Sequence, residues 1–360
     1  MSDLVKQLIL DQIQGLSAYH VQPAENMVKL DAMENPYALP EQLKQPWLEC
    51  LSTAAINRYP SPQPQELIAQ LRATQEIPDA AEIMLGNGSD ELIQIICMAV
   101  AKSDRTVLSV TPSFVMYEQT AVITGMKFRG VSLQQDFSLD HAAMLTAIET
   151  YLPAVIFLAY PNNPTANSFD REQLVEIIDA APGLVVIDEA YAPFAADTMM
   201  DEVLQHENLL LMRTLSKFGL AGCRLGYLCG PEQWLTELNK IRMPYNINIL
   251  TQLTAEFALQ HADVFRAQAK EIKQQRKSLI EQLRSQTRYT VYESQANFIL
   301  FKTAQDQADR IFSALKKHRI LIKNLSAQGG LLSDTLRVTV GTPEENQQFL
   351  QALSEIPEVA

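Results

Sequence analysis

Beyond residue 82 the chain alternates short apolar runs with stretches of helical period. Ile83 to Leu85, Val107 to Val110, Lys127 to Val131, Val155 to Ala159, Leu184 to Asp188, Leu209 to Met212 and Leu225 to Cys229 read as strands. Near-continuous apolar runs separated by helices imply right-handed βαβ crossovers and a largely parallel sheet covered on both faces. In such sheets ligands sit at the carboxyl ends of the strands. Ahead of this region, Leu4, Leu8, Ile9 and Ile13 recur at helical spacing over Asp3 to Gln14, with Gly15 as a stop. A Pro-punctuated, partly extended segment follows from Val21 to Pro40, and then helical patterns over Glu41 to Ala54 and Gln65 to Ala73, separated by NRYPSPQP. After the sheet region, Pro231 to Met243 and Ile249 to Gln286 read as helices, the second broken near His261. Strands at Tyr289 to Glu293, Phe298 to Lys302, Ile320 to Lys323 and Leu336 to Val340 then alternate with helices at Asp306 to His318 and Pro343 to Leu353. The predicted organisation is an N-terminal arm, 1–44, that joins a small α/β domain, 246–360, beside a large α/β domain, 45–245.

Charge narrows the partners. The 360 residues carry 42 acidic against 29 basic side chains, a formal charge of −13, and no basic stripe of the kind that phosphate backbones require, so nucleic acid is not expected. Apolar stretches such as Leu92 to Ala101 fall short of the ~20 residues that span a bilayer. The first dozen residues, broken by Asp3, Lys6 and Asp11, do not read as a signal peptide. Four cysteines (Cys50, Cys97, Cys223, Cys229) lack CxxC spacing and neighbouring histidines, which argues against zinc and against a disulfide framework. The expectation is a cytoplasmic protein with reduced thiols, no metal and no membrane contact.

The polar motifs fall at strand ends. After Leu209 to Met212, Lys217 stands in TLSK with Thr214 and Ser216 before it and Arg224 after it. A lysine so placed can hold an aldehyde, the hydroxyls can bond phosphate oxygens, and a guanidinium grips phosphate through two bonds, a set that reads as a pyridoxal-phosphate site. GNGSDE, residues 86–91, ends one strand and opens a helix, so Ser89 and Asp90 are positioned for an anion at the helix N-terminus; Asp90 as a simple helix cap is the plainer alternative. PNNPTA, residues 161–166, sets Asn163 at another strand end, where ordinary turn chemistry competes with a bond to a ligand oxygen. DEAY puts Asp188 at the end of a buried strand, where a carboxylate needs a partner such as a pyridinium N–H, with Tyr191 three residues on. In TPSFVMY, Phe114 offers a face to a planar ligand and Tyr117 reads as core. Arg337 lies on an alternating strand, where a lone arginine is usually a surface residue but in this architecture could bind a substrate anion.

The order GNGSDE, PSF, PNNPT, DEAY, TLSK, CRLGY, LRVTVGT resembles fold-type I pyridoxal-phosphate enzymes over nearly the whole chain. Together with NRYP, the short N-terminal arm and LRVTVGTPEEN, it resembles the histidinol-phosphate aminotransferases among them. The resemblance implies an α/β fold with a mainly parallel sheet and a smaller α/β domain. It assigns the covalent attachment of pyridoxal 5'-phosphate to Lys217, the ring-nitrogen partner to Asp188 and the phenolic-oxygen donors to Asn163 and Tyr191. Phe114 takes the stacking position more often held by tyrosine. Ser89, Asp90, Thr214, Ser216 and Arg224 match the phosphate set, and Tyr59 of NRYP matches a residue that reaches the other subunit's site, implying a homodimer. Tyr19, Asn35, Lys323 and Arg337 match substrate-side positions. Two departures stand out: Ala166 where glycine is usual, and Arg224 one residue closer to the lysine than in many relatives.

The implied activity is amino transfer between L-histidinol phosphate and 2-oxoglutarate, giving imidazole-acetol phosphate and glutamate by a ping-pong route in histidine biosynthesis. An aromatic or other amino-acid aminotransferase, or a decarboxylase of phosphorylated amino acids, would keep every cofactor residue and is the alternative. A cofactor-sensing regulator would need an added DNA-binding domain, and the sequence has neither the helix-turn-helix nor the spare length.

Overall fold

The computed structural model describes residues 3–18 and 22–357. Its centre is a seven-stranded sheet: β2 (Glu82–Gly86), β3 (Thr106–Thr111), β4 (Lys127–Ser132), β5 (Val155–Ala159), β6 (Leu184–Asp188), β7 (Leu209–Thr214) and β8 (Gly226–Gly230), with β1 (Val28–Lys29) lying earlier, outside this sheet. The order is β2-β8-β7-β6-β5-β3-β4. All seven expected strands form, and the sheet is mixed at one place: β8 runs antiparallel to both β7 and β2, while the pairs from β7 across to β4 are parallel. Every residue of β5, β6 and β7 is buried. Alternate residues face opposite ways: Ile156, Leu158, Val185 and Ile187 enter one core, and Val155, Phe157, Leu184 and Val186 the other. A fully buried Val or Leu contributes roughly 1.5–3 kcal/mol, so these strands fix the platform on which the loops sit.

Helices α4 (Gln65–Thr74), α7 (His141–Tyr151), α8 (Arg171–Ala180) and α10 (Ile249–Gln260) bury leucine, isoleucine, methionine and alanine against the first face. Helices α5 (Ser89–Val100), α6 (Met116–Ile123) and α9 (Glu232–Asn239) cover the second. A second sheet, order β12-β13-β10-β9, comprises β9 (Thr290–Val291), β10 (Phe298–Lys302), β12 (Lys323–Asn324) and β13 (Thr335–Thr339). It shares a core with α11 (Ala262–Ser285), α12 (Ala308–Lys317) and α13 (Pro343–Ser354).

Three expectations are adjusted. The run Ile320 to Lys323 divides, with β11 (Ile320–Leu321) pairing in parallel with β1 of the arm and β12 pairing with β13. This division attaches the arm to the C-terminal segment and sets Lys323 directly across from Arg337. The expected strand at Tyr289 to Glu293 shortens to Thr290–Val291. The first helix breaks in two, α1 (Asp3–Leu8) and α2 (Asp11–Gln14), with Leu4, Leu8 and Leu10 exposed; without a buried face, a helix of this length has little to hold it continuous. Helix α3 (Glu41–Ser52) packs on α10. Among the described residues no helix is long and apolar enough to cross a membrane.

Candidate active site

The carboxyl ends of β3, β5, β6 and β7 open on one cavity of about 370 Å³, and Ala32, Met33 and Glu34 of the arm close its side. Ser89, Asp90, Phe114, Asn163, Asp188, Tyr191, Thr214, Ser216, Lys217 and Arg224 all line it. Ten motif residues drawn from six separate motifs thus converge on one space. A second cavity, about 660 Å³, shares Met33, Asp90, Phe114 and Asn163 with the first and adds Lys323 and Arg337.

The corner between α5 and β8 is built for an anion. Among the described residues, four other helices are capped by side chains, by Asp140 on α7, Asp170 on α8, Asn248 on α10 and a reciprocal Thr342–Glu345 box on α13. Helix α5 begins after Gly88 with no side-chain cap, and its first two residues, Ser89 and Asp90, line the cavity, so its first amides have no side-chain acceptor. Asp90 is therefore no cap; it pairs with Arg224 at 3.1 Å. Gly88 has φ +81°, and a Cβ there would lie 2.4 Å from Arg224 Nη2, while a Cβ on Gly226 would lie 2.7 Å from the Ser89 amide. Only glycine at both positions lets the guanidinium and the helix terminus share this corner. Thr214 Oγ1 lies 2.9 Å from Ser216 Oγ, which lies 3.5 Å from Arg224 Nη1.

Lys217 sits in a π-helical turn, Ser216–Leu220, directly after β7, and its Nζ donates to the Ala32 carbonyl at 3.2 Å. Burial, helped by the positive charge of Arg337, pushes its pKa down to about 8. Asp188 is buried at the end of β6. Burial pushes its pKa up to about 6, against the hydrogen bonds from the Tyr117 hydroxyl (2.7 Å to Oδ2) and the Ala190 amide (3.0 Å to Oδ1). Asn163 bridges the two cavities: its Nδ2 donates to Tyr191 Oη at 3.1 Å, and its Oδ1 accepts from Arg337 Nη1 at 2.6 Å. Arg337 also donates to the Asp31 carbonyl and lies over the Phe298 ring at 5.2 Å.

This donor set fits pyridoxal phosphate. An uncapped helix terminus, two hydroxyls and a guanidinium suit the phosphate; a buried carboxylate suits a cationic ring nitrogen; and an amine of lowered pKa suits an aldehyde.

Other expected residues lie elsewhere. Asn35 does not line either cavity: its amide donates to Gln268 (2.9 Å) and the Phe218 carbonyl (3.4 Å), and its Oδ1 accepts from Tyr37 N–H, so it fastens the arm to α11 and the Lys217 turn. Tyr59 is 81 % exposed, stacked on Tyr245 at 4.6 Å, and outside the lining of both cavities. Tyr19 lies outside the described residues. Two features escaped the sequence reading. Tyr117 is more than core, since its hydroxyl holds Asp188. Beneath the site Arg213 donates to Glu189 Oε2 from both Nε (2.9 Å) and Nη2 (2.6 Å), tying β7 to the residue after Asp188.

Residues 25–353 match the aminotransferase class I and II family. The chain belongs to this family. It is 52 % identical to histidinol-phosphate aminotransferase 2 of Nitrosococcus oceani over 351 residues, with 98 % of each chain covered. Histidinol-phosphate aminotransferase 1 of Ralstonia nicotianae is 48 % identical, with 98 % of this chain and 96 % of the relative covered. The histidinol-phosphate aminotransferase of Sinorhizobium meliloti, solved in complex with pyridoxal-5'-phosphate, superimposes with a TM-score of 0.87 over 97 % of both chains at 22 % identity, a likeness of fold.

Within this aminotransferase family, the two departures have local accounts. Ala166 adopts φ +66°, the left-handed conformation that makes glycine usual at such a position, and its methyl is buried in the core shared with Tyr191 and Phe194. The shorter path from Lys217 to Arg224 is closed by the π turn, a 3-10 turn at Ala221–Cys223, and a left-handed Arg224 (φ +50°), and still delivers the guanidinium to the anion corner.

Proposed function

We propose that this chain exchanges amino groups between L-histidinol phosphate and 2-oxoglutarate, giving imidazole-acetol phosphate and glutamate. The observation that carries the substrate choice is the pair Lys323 and Arg337, opposite each other across β12 and β13 and both lining the cavity beside Lys217. Two cations there favour a phosphate dianion over the single carboxylate of an ordinary amino acid. The relatives at about 50 % identity support the same choice by name.

Bound in the first cavity, pyridoxal phosphate would supply an aldehyde and a ring that draws electrons from the substrate carbon. The α5 terminus, Ser89, Thr214, Ser216 and Arg224 would hold the phosphate, with Asp90 orienting Arg224. Phe114 would face the ring, Asn163 and Tyr191 would bond the phenolic oxygen, and Asp188 would hold the ring-nitrogen proton by charge. Lys217 Nζ, its pKa lowered by burial, would be the group that holds the aldehyde. As a free amine, Lys217 would serve as the general base that takes the proton from the substrate carbon. Because Arg337 also bonds Asn163, a substrate anion on Arg337 is sensed next to the phenolic-oxygen donors.

The arrangement we read is a cytoplasmic homodimer. The exposed Tyr59, away from its own cavities, reaches the partner's phosphate; residues 45–245 form the cofactor domain, and the arm, 1–44, goes with 246–360. Tyr19 and Asn35 complete the substrate side, Asn35 by holding the arm in place. To test the substrate assignment, each half-reaction is measured in Lys323→Ala and Arg337→Ala. Loss of one charge-assisted contact lowers kcat/KM by about 1.5–3 kcal/mol. Arg337→Ala is expected to depress both half-reactions, since glutamate uses the same arginine, and Lys323→Ala to depress chiefly that with histidinol phosphate. Equal losses on both substrates in Lys323→Ala would sink the assignment of Lys323 to the phosphate.

A further inference from the structure

We infer that Tyr117 is a positioning residue of this site, its hydroxyl fixing the Asp188 carboxylate and its ring backing Phe114, so that one side chain aligns both surfaces that meet a bound ring. The inference rests on the cofactor reading above. Tyr117 lies on α6, 71 residues from Asp188 in sequence, and is 1 % exposed. Its ring is sandwiched in place, stacked on Phe157 of β5 at 4.9 Å and 6°, and meets Phe114 edge-on at 5.6 Å and 85°. With Phe157 immobile in the sheet core, the phenol has little rotational freedom, and its O–H is held on Asp188 Oδ2 at 2.7 Å.

The geometry assigns each carboxylate oxygen a task. Oδ1 accepts the Ala190 amide and Oδ2 the phenol, both short and both on the charged form. These two donors oppose the burial that favours a neutral carboxyl. The other groups facing this pair are Asp90 from α5, Glu189 from the same strand end and Tyr191 from the following turn, and the carboxylates among them disfavour charge on Asp188. Tyr117 itself stays a donor, because burial and the Asp188 charge raise its own pKa well above that of an ordinary phenol. It therefore keeps Asp188 ionised and aimed while Asp188 waits for, and then holds, a cationic N–H.

The test is Tyr117→Phe, which keeps both ring contacts and removes only the oxygen. In the cofactor-free chain, the Asp188 carboxyl is titrated by 13C NMR of labelled aspartate, with Asp188→Asn assigning the resonance. In the loaded chain, the ring-nitrogen proton is followed by 15N NMR of labelled pyridoxal phosphate, and the amino-donor half-reaction is timed. The Asp188 midpoint is expected to rise by about one pH unit or more in the variant, and the ring nitrogen to lose its proton about one unit lower than in wild type. The half-reaction slows roughly tenfold with KM changed less than about twofold, the split expected when only the reacting state loses an interaction. Unmoved titrations overturn the inference, including when the rate falls, because the effect would then arise elsewhere. If the wild-type chain does not take up pyridoxal phosphate, the cofactor reading fails, while the carboxyl titration in the cofactor-free chain still decides the Tyr117 bond.

Discussion

Lys217→Ala protein is expected to be without transaminase activity, at least about 10,000-fold below wild type, because one side chain both captures the aldehyde and carries the proton. Borohydride reduction should fix the cofactor irreversibly to Lys217 in wild type and leave it removable in the variant. The loss is chemical rather than structural. Lys217 makes one hydrogen bond to the Ala32 carbonyl, and its replacement removes an amine whose charged form burial already disfavours. The same depression predicts a pH signature. Capture of an aldehyde needs the neutral amine, whose fraction rises through a pKa of about 8. Uptake of pyridoxal phosphate by cofactor-free protein should therefore accelerate from acid pH to about pH 8 and level off above it. A lysine with its ordinary pKa would go on accelerating toward about pH 10. Continued acceleration to that pH, or wild-type turnover in Lys217→Ala, would remove Lys217 from the chemistry.

The second large effect is at Asp188. Asp188→Asn keeps the shape: its amide oxygen can accept the Ala190 N–H while its NH2 donates to the Tyr117 hydroxyl oxygen, so the site should assemble much as before. What it lacks is charge. An amide cannot hold a ring-nitrogen proton electrostatically, and the proton-transfer step is expected to slow by ~3 kcal/mol or more, a hundredfold or greater loss. Cofactor affinity should fall far less, since the substitution leaves the anion corner at α5 and Arg224 untouched. Stopped-flow measurement of the single amino-donor half-reaction separates the two, and an unchanged rate in Asp188→Asn excludes the pairing.

Most of this site was legible in the sequence because its residues are local signals at strand ends. Lys217 and Asp188 follow buried runs, and GNGSDE couples glycine to a helix start, so each motif announces a position without help from the fold. Tyr117 was not legible, since a tyrosine on an apolar helix reads as core. Its contact with Asp188 exists only after β3, β5 and β6 stack side by side. The Arg213–Glu189 pair is hidden for the same reason. The antiparallel β8 escaped because a fully buried strand has no alternation to betray its direction. The break between α1 and α2 is the opposite failure, a good helical period whose leucines stay exposed in the described chain although α2 touches α6. Asn35 shows the limit of resemblance: the residue type is right, but its amide is spent on Gln268 and the Phe218 carbonyl, and it reaches the site only through the arm.

The account stands on a phosphate-reading aminotransferase, and the comparison that bears on it most directly is kcat/KM of the wild-type enzyme for histidinol phosphate against histidinol, phenylalanine and aspartate, each with 2-oxoglutarate as acceptor. Lys323 and Arg337 together predict that histidinol phosphate is preferred over its dephosphorylated form by about a hundredfold or more, the sum of two charge-assisted contacts at the low end of their range, with glutamate as the product. Histidinol, phenylalanine or aspartate matching histidinol phosphate, or carbon dioxide released from phenylalanine or aspartate in place of glutamate formation, would contradict it.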